Sequence, residues 1–444
     1  MSLHESTALC WAPSSQVPQG LQGESGRWAA IEQLESGVRS YSRMFPAIMA
    51  RAKGACITTE DGRQLIDFLA GAGTLNYGHN PDVIKRALLS YLEEDGIVHS
   101  LDMATPAKRG FIELFDTLIL RPRNLKYKLQ FPGPTGTNAV EAALKIARRV
   151  TGRHNVVAFT NAFHGVTLGS VAATGNQHFR AATGLPSLGV TFFPYDGYFG
   201  NDIDTGDYIE RMLKDRSSGV DPPAAVILET VQGEGGINVA RSTWLRRIEG
   251  LCRNVGALLI IDDIQMGCGR TGPFFSFEES GISPDLVLLS KSLSAYGLPL
   301  SLVLIKPEFD IWKPGEHNGT FRGNNLALVA ASAALSAFWR TEAFQRDITK
   351  KGEYMYSRVA ALASTAVART ASARGRGMVV GLDCGDSTKA MDISRLAFGQ
   401  GLIIERCGSE DQVLKLIPPL TISEVELGQG LAILEAVALP ILQA

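Results

Sequence analysis

Several things are scarce in this 444-residue chain, and each scarcity removes a class of function. Its six cysteines (Cys10, Cys56, Cys252, Cys268, Cys384 and Cys407) are scattered without a CxxC pair, which argues against a zinc site and against a disulfide framework. Basic blocks are absent too: 43 Lys and Arg against 45 Asp and Glu give a formal charge of −2, so nucleic acid is not an expected partner. No apolar run reaches the roughly 20 residues that span a bilayer, so no membrane partner is expected. The opening MSLHESTALCWAPSSQVPQG has neither the basic head nor the apolar core of a secretory signal, and a cytoplasmic location is the expectation. Neither GxxxxGK(S/T) nor an early GxGxxG occurs, which removes the main signals of nucleotide and dinucleotide binding.

What is present is a globular composition, 45% hydrophobic and 20% charged, on a chain long enough for a large domain and a smaller one. Residues 1–27, rich in Ser, Pro, Gln and Gly, read as a mobile tail. A helical pattern spans Trp28 to Ser42, and ACITTEDGRQLIDFLAG (Ala55–Gly71) predicts a hairpin around Glu60-Asp61-Gly62. Helices are expected over Pro81–Asp95 and Pro106–Leu120. KYKLQF (Lys126–Phe131) is a strand followed by PGPTGTNAVEAALKIARRVTG, whose apolar stripe marks a helix. In that helix Asn138 with Glu141 resembles a capping box, and Glu141 with Lys145 is an i,i+4 pair. The turn before it, ending at Gly136-Thr137, offers free N–H groups to an anion.

Apolar runs at Asn155–Thr160, Val190–Gly197, Ala224–Thr230, Ala257–Asp263, Asp285–Ser290 and Ser301–Lys306 are strands, and an amphipathic helix from Trp244 to Gly256 makes one βαβ unit with its neighbours. The fold class is therefore α/β, with a mostly parallel sheet flanked by helices. After a polar loop, Lys313–Asn325, and an Ala-rich helix, the chain changes to long helices and short strands, a smaller α+β domain. The expected limits are 28–85 for the N-terminal part of the small domain, 86–330 for the large domain and 331–444 for the remainder of the small one.

Chemistry concentrates in Ala257–Lys291. One apolar run ends in Asp262-Asp263 and the next in Lys291. Ligands of open α/β sheets gather at the carboxyl ends of strands, so one carboxylate and one amine are offered to one crevice. Pyridoxal phosphate asks a protein for that pair: an acid against its ring nitrogen and a lysine for a Schiff base. Strand alternation lets only one of Asp262 and Asp263 point into the crevice and does not say which. Phe163, after another strand end, could cover a ring face. Gly136 and Thr137 could hold a phosphate.

Taken with FLAGAGTLNYGHN, GPTGTNAVEAA, FTNAFHGVTLGS, ETVQGEGGINVA, LLIIDDIQMGCGRTGPFFSFE, LSKSLSAYGLP and WKPGEHNGTFRGNN, the chain resembles the class III aminotransferases of the ornithine/4-aminobutyrate type, from about Glu32 to the C-terminus. The first and last of these stretches are most similar to the diaminobutyrate subgroup that opens ectoine synthesis. The resemblance implies fold type I of the pyridoxal-phosphate-dependent transferases, with the small domain drawn from both chain ends. It also implies an ω-aminotransferase that interconverts L-2,4-diaminobutyrate and 2-oxoglutarate with L-aspartate 4-semialdehyde and L-glutamate. Ornithine, acetylornithine, 4-aminobutyrate or β-alanine are rival substrates within the class, and a non-catalytic relative of the fold is a remote rival.

Laid on the family pattern D-E-V-Q-T-G-x-G-R-T-G, the ring-nitrogen acid is Asp262, the glutamate is replaced by Asp263, and Gln265 meets the ring 3-oxygen. The resemblance further implies Lys291 as the Schiff-base lysine, Gly136 and Thr137 at the phosphate, and Phe163 stacked on the ring. Thr320 implies a homodimer, because in this family that threonine reaches the phosphate of the neighbouring subunit. Glu234 matches a carboxylate that gates dual substrate recognition. Two departures matter: Val166 stands where many members have the arginine of F-(H/W)-G-R-T, and Lys415 stands where an arginine often precedes the final P-P-L. An ammonium pairs a carboxylate without the bidentate fork of a guanidinium. A Lys415–Glu234 pair is the expectation that replaces the relatives' scheme.

Overall fold

The computed structural model describes residues 24–186, 189–200, 202–367 and 370–444. The tail expected over 1–27 lies outside the described residues as far as residue 23, and a helix, Glu24–Leu34, begins directly after. The helical pattern from Trp28 to Ser42 is in fact two pieces, Glu24–Leu34 and Tyr41–Met44. Ser36-Gly37 falls between them, and glycine is a poor helix residue. Residues 48–444 form one compact unit.

Within that unit, β1 (Met49–Lys53), β2 (Cys56–Thr59) and β3 (Gln64–Asp67) make an antiparallel meander. The predicted hairpin is β2–β3; β1 was not legible, because its alternating MARAK carries almost no apolar signal. Then come β4 (Lys128–Gln130), β5 (Val156–Phe159), β6 (Val190–Phe193), β7 (Ala225–Leu228), the small ribbon β8 (Val231–Gln232) and β9 (Asn238–Val239), β10 (Leu258–Asp262), β11 (Leu286–Leu289) and β12 (Leu302–Ile305). The last five strands are β13 (Ser372–Arg376), β14 (Val379–Asp383), β15 (Leu402–Ile403), β16 (Glu405–Cys407) and β17 (Val413–Leu416).

The large sheet has seven strands in the order β4-β12-β11-β10-β7-β5-β6. All its pairings are parallel except those of β12, which runs against both neighbours. Its strands are continuous apolar runs because both faces are covered. Leu258 and Ile260 of β10 join the core beneath helix Gly136–Thr151, while Leu259 and Ile261 join the opposite core with Trp244, Leu245 and Ile248 of helix Ser242–Val255. Period-two alternation thus sends odd and even positions into different cores.

The chain ends build the rest. β15 pairs in parallel with β3, so segments more than three hundred positions apart share one sheet, ordered β1-β2-β3-β15. A further sheet, β13-β14-β17-β16, packs with helices Ala343–Ala363, Ser387–Gly399 and Glu424–Gln443 around a second core. Helix Glu424–Gln443 departs from one expectation: by length and composition it is apolar enough to cross a membrane. Its stripe of Leu427, Leu431, Leu434, Ala438 and Leu442 is buried in that second core, and Glu435 bonds Arg358 on its neighbour, as a core helix does.

Candidate active site

Parallel pairing sets the geometry. Asp262 of β10 lies opposite Leu288 of β11, and Lys291 follows three positions later, so both leave the same carboxyl edge. Alternation then separates the two aspartates. Asp262, an even position, shares the face of helix Gly136–Thr151. Its Oδ2 lies 2.7 Å from His164 Nδ1, and its Oδ1 accepts Ile264 N–H at 3.2 Å. Asp263 turns to the other face, where its Oδ2 accepts Ser276 N–H at 3.0 Å and burial pushes its carboxyl up to about 7. Asp263 Oδ1 and His164 Nε2 are buried without a hydrogen-bond partner among the described residues.

Lys291 has a left-handed backbone, φ +46, and its Nζ donates to Ala72 O at 3.0 Å. Burial pulls its amine below the usual lysine range, partly opposed by Glu234. The carbonyl belongs to the glycine-rich stretch FLAGAGTLNYGHN. Ala70, Gly71, Ala72 and Gly73 have φ values of +47, +59, +55 and +81, a left-handed turn that costs an alanine roughly 1–2 kcal/mol. Surrounding bonds hold it there. Asp67 Oδ1 accepts Leu69 and Ala70 N–H, both at 2.8 Å, while His79 Nε2 sits 2.7 Å from Asp67 Oδ2. Ser292 Oγ donates to Gly73 O at 2.5 Å. Arg270, fully buried, bonds Asn76, Met378 O and Pro418 O and so ties this loop to the second core.

Gln265 Nε2 shares Ala72 O at 3.1 Å and also donates to Glu234 Oε1 at 3.1 Å. Glu234 in turn accepts Lys415 Nζ at 2.5 Å, the pair expected from sequence. Lys415 has no exposed side-chain surface, and its ammonium has a second carboxylate, Glu405 Oε1, at 2.9 Å. Burial alone would raise Glu234, but Lys415 and Lys291 hold it down to about 2. Burial pushes Glu405 up, and Lys415 itself is raised because the two carboxylates outweigh its desolvation.

At the cradle, the helix begins at Gly136, so Thr135 is its N-cap and Asn138 Oδ1 accepts Thr135 N–H at 3.1 Å. This corrects the expected Asn138–Glu141 box: Glu141 instead accepts Gly169 N–H at 2.9 Å and Ser170 N–H at 3.1 Å, and Lys145 reaches Glu316 O at 2.7 Å. The N–H groups of Gly136 and Thr137 have no carbonyl one turn back to bond, as at every helix start. Thr137 Oγ1 lies 2.6 Å from Thr167 Oγ1 and 2.7 Å from Ser170 Oγ. Phe163 is half-buried, its N–H held by Glu229 Oε1 at 3.0 Å and its ring edge-on to Phe179 at 5.3 Å. Burial pushes Glu229 up to about 7.

So one chain brings Lys291, Gln265, Glu234 and Lys415 into a single hydrogen-bonded row and joins Asp262 to His164. Thr320 is not among them: it is exposed on the turn Thr320–Arg322 and bonds none of them among the described residues. Val166 is 60% exposed. Sequence reasoning passed over three participants. His164 follows Phe163 directly, but only the fold brings it to Asp262. Glu405 announces itself only through its cross-strand partner, and Ala72 acts through its backbone. Two clefts, of about 280 Å³ beside Gln232, Asn238 and Arg374 and about 330 Å³ beside Arg153 and Cys252, lack both the lysine and the acid.

The class-III aminotransferase family profile matches residues 38–438, and the chain belongs to that family. It is 58% identical over 413 residues to the uncharacterized aminotransferase y4qG of Sinorhizobium fredii, covering 93% of this chain and 92% of the relative. It is 57% identical over 403 residues to a diaminobutyrate–2-oxoglutarate transaminase of Streptomyces anulatus, covering 91% and 96%. Among solved structures it is similar to an ornithine aminotransferase of Toxoplasma gondii with pyridoxal phosphate partly occupying its active site, at TM-score 0.81, 26% identity and 95% coverage of both chains.

Proposed function

We propose that the chain is a pyridoxal-phosphate-dependent transaminase. It interconverts L-2,4-diaminobutyrate and 2-oxoglutarate with L-aspartate 4-semialdehyde and L-glutamate. The observation that carries the chemistry is the pairing of β10 with β11, which presents the Asp262 carboxylate and the Lys291 amine at one sheet edge. The substrate reading draws on relatives of that name at 55–57% identity over 91% of this chain.

The residues fit the cofactor. Asp262 is a buried carboxylate whose described partners leave it able to face a ring nitrogen, and a buried acid without a cation is costly. Gly136 and Thr137 offer N–H groups at the positive end of a helix to a phosphate. A Cβ at Gly136 would lie 3.1 Å from the Ile264 side chain, so a larger residue there requires Ile264 to give way by a few tenths of an ångström. Bound, the cofactor supplies an electron sink for the bond-breaking at the amine-bearing carbon.

This chain's residues do the rest. Asp262 holds a proton at the ring nitrogen, and His164 fixes the orientation of Asp262. Lys291, its amine basic enough to take a proton yet lowered by burial, carries that proton from the substrate carbon. Ala72 O accepts from the Lys291 amine whenever that amine is not bonded to the cofactor. With the cofactor bound, Gln265 would meet the ring oxygen and Phe163 would cover a ring face. Glu234 and Lys415 select substrate: Lys415 receives the α-carboxylate of glutamate, and Glu234 covers Lys415 otherwise.

Thr320 serves the neighbouring subunit's phosphate, so the enzyme is a homodimer; its exposure on one chain supports this. Mixing a Lys291→Ala chain with a Thr320 variant tests it by recovery of activity. All described cysteines, Cys56, Cys252, Cys268, Cys384 and Cys407, are unpaired, which supports a reducing cytoplasm. The domain limits 28–85, 86–330 and 331–444 belong to the same proposal, supported by the span of the large sheet from Lys128 to Ile305. Ectoine is the pathway proposed for the product, and the neighbouring genes decide between it and siderophores or peptides. An amine-donor screen with purified holoenzyme and 2-oxoglutarate tests the whole. Diaminobutyrate is expected to lead, and a clear preference for ornithine, acetylornithine, 4-aminobutyrate or β-alanine overturns the assignment.

A further inference from the structure

Lys415 is enclosed by two carboxylates rather than one. Glu405 lies directly opposite it across β16 and β17, and the two side chains are 3% and 0% exposed. Glu234 sits on a glycine-flanked loop after β8, and its side chain is 29% exposed. The cluster therefore contains two acids and one ammonium, with the second acid fixed in a sheet. A simple acid–cation pair is neutral; this cluster reaches a net charge of −1.

The cluster stands next to the reacting amine. Lys291 Nζ and Gln265 Nε2 share Ala72 O, at 3.0 and 3.1 Å, and Gln265 Nε2 is 3.1 Å from Glu234 Oε1. The amine of any donor must take the place of the lysine amine. In 2,4-diaminobutyrate the second nitrogen lies three carbons further on, about 5 Å in extended form. Glutamate, whose α-amine reacts, has no second ammonium and brings a carboxylate instead.

We propose that Glu405 is a specificity-determining residue: as the second carboxylate on Lys415, it makes the substrate-facing cluster attractive to the second ammonium of a diamino acid. It acts through Lys415 and Glu234 without touching the substrate. Burial favours the neutral acid in the empty site, and an arriving ammonium favours the carboxylate, so the cation and the ionised Glu405 support each other. An amide at this position cannot respond in that way. The inference rests on the transaminase reading above and goes beyond it by naming what distinguishes the two half-reactions.

The test is Glu405→Gln in cofactor-loaded full-length enzyme, with kcat/KM measured separately for diaminobutyrate and for glutamate. The ratio of the two is expected to fall about tenfold or more, the size expected for removing one nearby charge at an effective dielectric of about 20. Glu405→Asp, which restores the charge, is expected to restore part of the ratio. Equal losses with both donors, together with a lowered melting temperature, assign Glu405 a structural role and overturn the proposal. Should the glutamine variant not fold, the unaltered holoenzyme decides: diaminobutyrate must compete at least about tenfold better than 4-aminobutyrate, which lacks the second ammonium. Equal competition overturns the proposal. A wild-type enzyme inert toward diaminobutyrate rejects the substrate reading alone. Ornithine and lysine, which carry the same second ammonium, then take its place against glutamate in the same ratio.

Discussion

His164 Nδ1 lies 2.7 Å from Asp262 Oδ2, with both side chains buried and the far nitrogen of the imidazole unpartnered among the described residues. Asp262 is thus held by a neighbour that can orient it and share its proton. His164→Asn is expected to lower kcat about tenfold or more, since a hydrogen bond to a charged group is worth about 1.5–3 kcal/mol. KM is expected to change little. Burial lowers the imidazole's proton affinity, but Asp262 more than restores it, so the folded value is raised. Its stabilising share is therefore present below the ordinary histidine range and is lost as pH rises through the raised value. Melting curves of the variant should show that pH dependence flattened.

Lys291→Ala removes the amine proposed to take the proton and anchor the cofactor. A loss of activity of about a thousandfold or more is expected, with the visible cofactor absorption gone from the purified protein. Transamination at the wild-type rate would falsify the assignment of the lysine.

Asp263 faces the other core, where burial raises its carboxyl from 3.8 to about 7. Because the folded value is raised, the penalty is absent below about pH 4, grows up to about pH 7 and is complete above it. Asp263→Asn, which can still accept Ser276 N–H, is expected to stabilise the protein above pH 7 by up to about 3 kcal/mol. Thermal melts at about pH 8 and about pH 4.5 check this, since the gain should shrink to about a quarter at the lower pH.

Lys415→Met leaves Glu234 and Glu405 facing each other without a cation. A stability loss of about 3–5 kcal/mol is expected from an uncompensated buried charge, read from denaturant melts. The Michaelis constants for glutamate and 2-oxoglutarate should rise. If they stay unchanged, Lys415 does not receive the substrate carboxylate.

The turn at Ala72 invites a paired comparison. Ala72→Gly suits a φ of +55 and keeps the carbonyl, so stability and kcat should remain within about 1 kcal/mol and a few-fold of the parent. Ala72→Val places a branched side chain in the left-handed region and should cost about 2 kcal/mol or more, with kcat falling as the lysine loses its acceptor.

Much of the fold was legible, for one physical reason. The strands of the large sheet are buried on both faces, so each is an unbroken apolar run such as Leu258–Asp262 or Leu286–Leu289. The edge strand Met49–Lys53 is largely exposed and left no such trace. In the site, Lys291, Asp262, Gln265 and the Lys415–Glu234 pair followed from motif register. Glu405 did not, because its meaning comes from a cross-strand partner ten positions away, and register between strands is not written in either strand alone. Ala72 escaped because a backbone carbonyl has no letter in the sequence. The capping box slipped by one turn because the helix starts at Gly136, earlier than Asn138 suggested.

The pairing of β3 with β15 has a temporal side. The carbonyl that holds the Lys291 amine lies just beyond β3, and β3 is clamped by Gly401 O and Ile403 O, which accept Ile66 and Phe68 N–H at 2.8 and 2.9 Å. Those carbonyls leave the ribosome only after every strand of the large sheet. A growing chain can therefore finish its large sheet, with Lys291 and Asp262 already at the edge, while the amine still lacks its resting place. Closing so long a loop is slow. Catalytic competence should be the last property to arrive during refolding, well after secondary structure has returned.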